Sequence, residues 1–287
     1  MSAAIAEVIP VRVPERSWRS ELRAMRIVWR RDLLRFATDR TRIVTLLIQP
    51  LLFLFVLGSG LQTLAAASTD GVDLKTIIFP GVLCMALVFS AMFSAATLVM
   101  DREFGFLREM MVAPVRRSSI VVGKCLGGAT VAALQGAIML ALAGFVDVPY
   151  DPLLLLGLFG LLLLLAFTIT AFGMLVAVRI RQLQSFTAVM QMLVMPMFFL
   201  SGALYPVAGL PTWLELLNRL NPLTYAVDPM RRLVFDHLDI SDAARSTLDP
   251  GVTWFGWRVP TLLEMGIVLA LGLTMLAVAI FQFTRTE

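Results

Sequence analysis

Charge is scarce in this sequence, and its distribution carries most of the information. Of 287 residues only 15% are charged and 59% are apolar, where a soluble domain carries roughly a quarter charged residues. The charges cluster and leave six long charge-free stretches, at 43–69, 76–100, 125–146, 152–178, 182–214 and 265–284. Roughly 20 helical residues cover the ~30 Å hydrocarbon core of a bilayer, and each stretch is at least that long. One small chain has no protein cover for six such helices, which excludes a soluble domain. Residues 153–178 show no alternation of apolar and polar positions, as a barrel strand would need. In hydrocarbon, a continuous apolar run satisfies its backbone as a helix. The expected fold is an all-α integral membrane protein with six transmembrane helices, at about 43–65, 76–100, 119–145, 153–178, 183–204 and 261–283.

Chemistry-bearing residues are also few. The chain has one histidine, His237, and two cysteines, Cys84 and Cys125, with no CxxC spacing. That excludes a zinc site and a disulfide framework and leaves both thiols as small packing groups. Gly123-Lys124-Cys125 superficially resembles the end of a phosphate loop, but the earlier glycine and the Ser/Thr are missing. No HExxH, GxSxG or carboxylate pair lies within a span, so no enzyme class is indicated. Charged groups inside spans mark ion pathways, and here the spans have essentially none. Glu264, at the lip of span six, reads as an interfacial anchor. Any uphill transport therefore needs energy from a partner.

Basic residues orient the chain. The first 42 residues hold ten arginines, with no apolar core of signal-peptide length. Arg102, Arg108, Arg116, Arg117 and Lys124 follow span two, Arg179 and Arg181 follow span four, and Arg285 follows span six. Cytoplasmic flanks collect Lys and Arg, so both termini are expected to be cytoplasmic (N-in/C-in). The long final loop holds several arginines, but long loops count little in this rule.

Residues 1–16 read as a disordered cytoplasmic tail, 17–42 as an interfacial amphipathic helix, and 43–287 as the transmembrane domain. In the helix, Trp18, Leu22, Met25, Trp29, Leu33 and Phe36 fall within an arc of roughly 80°, beside a stripe of Arg19, Arg23, Arg26 and Arg30. That face suits a membrane surface or a soluble partner subunit. In the loop 101–124, Phe104, Leu107 and Met111 are expected to share one face of a short helix weakened by Gly105 and ended by Pro114. In the fifth stretch Pro196 should kink the helix, and Ser201, Gly202, Pro206, Gly209 and Pro211 break it. Two amphipathic segments follow, 212–220 and 223–235, neither long enough to span. They are expected to form an outer re-entrant helix hairpin between spans five and six, because irregular backbone at membrane depth needs protein or water beside it. Gln135 and Gln191 are the polar mid-span residues. A buried Gln seeks a hydrogen-bond partner, either in a pathway or on a neighbouring helix.

Two segments resemble the ABC-2 type permeases. Residues 201–231, SGALYPVAGLPTWLELLNRLNPLTYAVDPMR, resemble that family's C-terminal signature through Gly202, Pro206, Pro211, Trp213, Asn221, Pro222, Tyr225 and Arg231. The loop carrying Glu103, Gly105, Leu107, Pro114 and Gly123-Lys124 is similar to the family's loop after span two. Many relatives begin that loop Glu-Arg-Glu, whereas this chain has Asp101-Arg102-Glu103. The resemblance covers nearly the whole chain, and its nearest flavour is the daunorubicin-resistance type of drug and lipid exporters. It implies a permease subunit of an ATP-driven exporter in a bacterial plasma (inner) membrane, moving a hydrophobic or amphiphilic cargo such as a drug, lipid or glycan-lipid. By the same resemblance this chain binds no cofactor, and ATP and Mg sit on a separate ATP-binding cassette ATPase subunit. A second permease subunit would complete the pathway, as a homodimer or heterodimer. Asp101, Arg102, Glu103, Phe104, Gly105, Leu107 and Pro114 would then couple to the ATPase. An ion-coupled secondary transporter or a membrane assembly protein is the alternative.

Overall fold

A computed structural model describes residues 17–65, 73–112, 116–204, 211–238, 251–254 and 257–286. The tail 1–16, Pro114, Pro206, Gly209 and most of the loop 236–258 lie outside the described residues. Helix α1 is Trp18–Thr38. Helix α2 runs from Arg40–Leu52 through a π turn, Phe53–Leu57, into Gly58–Ala65. Then come α3 (Leu74–Glu103), α4 (Phe106–Val112), α5 (Arg117–Ala141), α6 (Pro152–Ala177) and α7 (Leu183–Leu200). The short helices α8 (Thr212–Leu220) and α9 (Thr224–Phe235) precede α10 (Thr261–Thr286). Thr253–Trp254 and Trp257–Arg258 pair as a two-residue antiparallel ladder.

Among the described residues six helices are long and apolar enough to cross a membrane, as the charge-free stretches predicted: Arg40–Gln62, α3, α5, α6, α7 and Thr261–Arg285. Their burial is unequal. The apolar window of α3 is 89% buried and that of α5 72%, whereas those of α2, α7 and α10 are 22% buried. Helix α3 is thus the axis, with α5 and α6 packed on it and α2, α7 and α10 outside.

Small side chains permit this packing. A Cβ on Gly128 of α5 would lie 2.7 Å from Thr170 Cγ2 and 3.0 Å from Ser94 Cβ. One on Gly173 of α6 would lie 2.5 Å from Ala95 Cβ. Bare backbone at these points lets three helices approach closely where lipid supplies no hydrophobic drive.

The apolar run and the helices disagree in two places. Pro196, expected to kink the helix, lies inside α7. The helix stops at Leu200 rather than near 204, where Gly202 takes φ +71°. In α2, Pro50 lies inside the helix, where it forgoes the bond to the carbonyl one turn back, and the π turn follows it at Phe53–Leu57.

Helix α1 buries a different face from the expected one. Glu21, Val28, Asp32 and Phe36 are buried, whereas Trp18 and Leu22 are exposed. This face is rotated by about 60° from the apolar stripe. Two of its four members are acids, and both find partners at or on α5: Glu21 at Arg116 and Ser119, and Asp32 at Lys124.

Candidate functional site

Consecutive residues on a helix point about 100° apart, so three charges ending a central helix radiate in three directions. Asp101-Arg102-Glu103, in the last turn of α3, does this. Asp101 Oδ2 accepts from Lys124 Nζ of α5 at 2.6 Å and from Arg31 of α1 at 2.7 Å. Arg35 lies 3.6 Å from Asp101 Oδ1, and Asp32 lies 3.9 Å from Lys124 Nζ. Arg102 donates to the carbonyls of Ala177 and Ile180, 3.1 and 3.0 Å away at the end of α6. Glu103 Oε2 accepts from the Leu183 backbone N–H at 3.0 Å and so caps the first turn of α7, whose own N-cap residue, Gln182, makes no side-chain cap bond.

A second carboxylate acts in the same way. Glu21 of α1 accepts from the Arg116 backbone N–H at 3.0 Å and from Ser119 Oγ at 2.5 Å, at the start of α5. Helix N-termini carry unpaired N–H groups and a partial positive charge, and a carboxylate satisfies both. Arginine, lysine and two carboxylate caps therefore tie α1, α3, α5, α6 and α7 together at one end of the bundle. The sequence reading missed the interior of this cluster. Asp101 and Lys124 each border a charge-free stretch, and only the packing of α3 on α5 shows that Lys124 is fully buried and Asp101 2% exposed.

Beyond the cluster the chain turns at Gly105, whose φ of +85° favours glycine. Phe104 is 66% exposed and Phe106 48%, whereas Leu107 is buried and Met111 packs on the core. Phe104 and Leu107 thus do not share a face. Helical spacing does not carry across Gly105, and Phe104 belongs to the end of α3. The result is a short helix with its aliphatic side turned inward and two phenyl rings turned out.

At the opposite end, the break after α7 is held by amides. Asn218 Nδ2 donates to the Leu200 carbonyl and Asn221 Nδ2 to the Met197 carbonyl, both at 2.5 Å. Asn221 Oδ1 accepts from Leu223 N–H at 3.1 Å, across Pro222. Pro211 starts α8, its carbonyl accepting from Leu214 and Glu215. Trp213, Leu216, Leu217 and Leu220 of α8 face outward, whereas Thr224–Arg231 of α9 are buried against α3, α6 and α10. Tyr225 donates to the Arg219 carbonyl at 2.6 Å and receives a bond from Trp254 Nε1 at 3.1 Å. Buried Arg231 donates to the Gly202 carbonyl. Arg232 binds Asp228 and lies 3.4 Å from Glu264. Glu264 is fully buried, so it is a partner of α9 rather than an exposed anchor. The i,i+4 spacing of Asp228 and Arg232 was the available signal.

On the lightly covered side of α3, between α2 and α7, lie two apolar cavities of about 460 and 170 Å³. Leu46, Met92, Phe93 and Phe186 line the larger, with Arg42 beside them. Phe53, Phe89 and Phe198 line the smaller, with Gln49. Gln135 and Gln191 are not brought together. Gln135 is fully buried on α5, with neither amide atom hydrogen-bonded, and Gln191 is exposed on α7.

Sequence comparison gives this geometry a context. The profile of a family described as ABC-2 type transporter matches residues 23–235. A protein named transport permease ycf38 from Cyanophora paradoxa is 31% identical over 204 residues, 69% of this chain and 70% of the relative. Nodulation protein J of Rhizobium leguminosarum bv. trifolii is 28% identical over 218 residues, 73% of this chain and 80% of the relative. A protein named multidrug ABC transporter permease YbhR from Escherichia coli (strain K12) is 27% identical over 164 residues, 56% of this chain and 44% of the relative.

Proposed function

The chain belongs to the ABC-2 type transporter family, and from that premise we propose that it is the membrane-spanning subunit of an ATP-driven exporter of hydrophobic or amphiphilic cargo. The observation that carries the reading is the end of α3. Asp101, Arg102 and Glu103 are bonded to four other helices, while Phe104 and Phe106, immediately beyond, stand in the open. A partner that pushes on the two rings pushes on the whole bundle. An ATP-binding subunit docked there would drive the spans, and this subunit would carry the ATPase chemistry with its Mg and nucleotide.

In this reading both termini and the 101–116 loop are cytoplasmic, in a bacterial inner membrane. The α8–α9 pair is the outer re-entrant element, with the outward side chains of α8 in lipid and α9 closing the outer end of the bundle. The exposed apolar faces of α2 and α7 suit a second permease subunit, with the cavities beside α3 then lying along the path between the two copies. Met and Phe linings adapt to varied apolar cargo.

The test is reconstitution. The purified chain alone should hydrolyse no ATP. With its cognate ATP-binding subunit in proteoliposomes, ATP should drive cargo movement, and Phe104→Ala with Phe106→Ala should abolish it while the bundle stays folded. Transport by that variant at the wild-type rate would refute the docking role. The buried Asp32–Asp101–Lys124 cluster is the observation that favours an ion-coupled transporter instead. Gradient-driven transport in ATP-free vesicles would establish that alternative.

A further inference from the structure

At the end of the bundle that bears the 101–116 loop, a cavity of about 670 Å³ opens between the last turns of α6 and α10. Four arginines line it: Arg102, Arg179, Arg181 and Arg285. No carboxylate among the described residues does. Like charges gathered on one concave surface repel one another unless an anion sits among them. Arg179 is braced by Gln282 Oε1 at 3.0 Å, and Arg285 stacks over the Phe281 ring at 4.0 Å. Arg179, Arg181 and Arg285 are exposed, so their guanidinium groups are held at the rim rather than spent inside the protein.

The wall changes character along α10. Val278 and Phe281 are exposed and apolar, Gln282 is polar, and Arg285 is cationic. Residues 278, 281, 282 and 285 share one helical face, and α10 belongs to the lightly covered outer layer. An acyl chain followed by a phosphate presents the same sequence of chemistry. An acidic protein surface would match the arginines but leave Val278 and Phe281 without a partner.

We propose that this cavity binds an anionic phospholipid, the phosphate among Arg179, Arg181 and Arg285 and an acyl chain along Val278 and Phe281. Basic pockets between membrane helices at the leaflet boundary hold such headgroups, and arginine's fork suits phosphate oxygens. The site lies on the opposite side of α3 from the α2–α7 cavities, so it is distinct from any cargo path there.

Native mass spectrometry of the full chain with phosphatidylglycerol or phosphatidylcholine of identical acyl chains tests this. Wild type should retain phosphatidylglycerol roughly tenfold more readily or better. The triple variant Arg179→Gln/Arg181→Gln/Arg285→Gln should lose the preference at an unchanged melting temperature, and the corresponding triple Lys variant should keep part of it. Soluble glycerol phosphate should fail to displace the lipid. Equal retention of both lipids by wild type, or a preference that survives the triple Gln change, overturns the site. Displacement by glycerol phosphate overturns the lipid in favour of a soluble phosphate. Loss of capture of the ATP-binding subunit with the lipid preference intact overturns it in favour of a protein contact.

Discussion

Lys124 Nζ lies 2.6 Å from Asp101 Oδ2, and solvent reaches neither side chain beyond 2% of its surface. Arg31, bonded to the same oxygen, also contacts Met110 Sδ of α4 at 3.3 Å. One carboxylate therefore joins the N-terminal helix, the third span and the root of the projecting helix. Charges taken out of water are costly, and removing one partner leaves the other uncompensated.

Lys124→Met should destabilise the protein by about 3–5 kcal/mol, seen as a lower melting temperature in detergent. Lys124→Met combined with Asp101→Asn should lose less than the single change, since the buried carboxylate goes with its cation. A double variant less stable than the single would show that Asp101 is held by its arginines alone.

Glu21→Ala should cost about 1–2 kcal/mol, the usual range for a lost helix cap. Hydrogen exchange should quicken at residues 116–120 and along the first half of α1, because Glu21 bonds the start of α5 from another helix. Exchange limited to α1 would mean that α5 is capped by other means.

Phe104→Ala and Phe106→Ala should leave the folding stability within about 0.5 kcal/mol of wild type, as exposed substitutions do. Capture of the ATP-binding subunit should fall severalfold. Leu107→Ala, one residue further on and 1% exposed, should instead cost about 2–5 kcal/mol. The opposite pattern would exchange the roles assigned to these residues.

Gly81→Ala should displace the turn at 201–204 from α3. A Cβ at residue 81 would overlap the Ala203 carbonyl, and backbone cannot swing aside as a long side chain can. Cys84, one turn along α3 and beside Met230 of α9, should then react faster with a membrane-permeant maleimide, measured with Cys125→Ala to leave one thiol. Unchanged labelling would show that the turn yields elsewhere.

Much of the fold was legible in the sequence, because hydropathy acts along one helix at a time. The bounds of Pro152–Ala177 follow from Asp151-Pro152 and the arginines after Val178. The break after α7 was readable from Ser201-Gly202, although the cue placed it a few residues late. The projecting helix was legible, but not which of its side chains turn outward, since Gly105 resets the helical phase between Phe104 and Leu107. Glu264 and Lys124 were misread for a common reason. A charge at the edge of an apolar run looks interfacial until the neighbouring helix is known to cover it.

The sequence by itself determined that six helices are long and apolar enough to cross a membrane and that a short helix follows the second. Those outcomes depend on the length of apolar runs and on glycine and proline, which are local properties. Only the tertiary structure decided that α3 is the axis, that α1 buries Glu21 and Asp32 in place of its most apolar stripe, and that Asp101, Arg102 and Glu103 reach four different helices. These depend on where helices distant in sequence pass one another. The partner of a buried charge is a property of that crossing, and no window along the chain contains it.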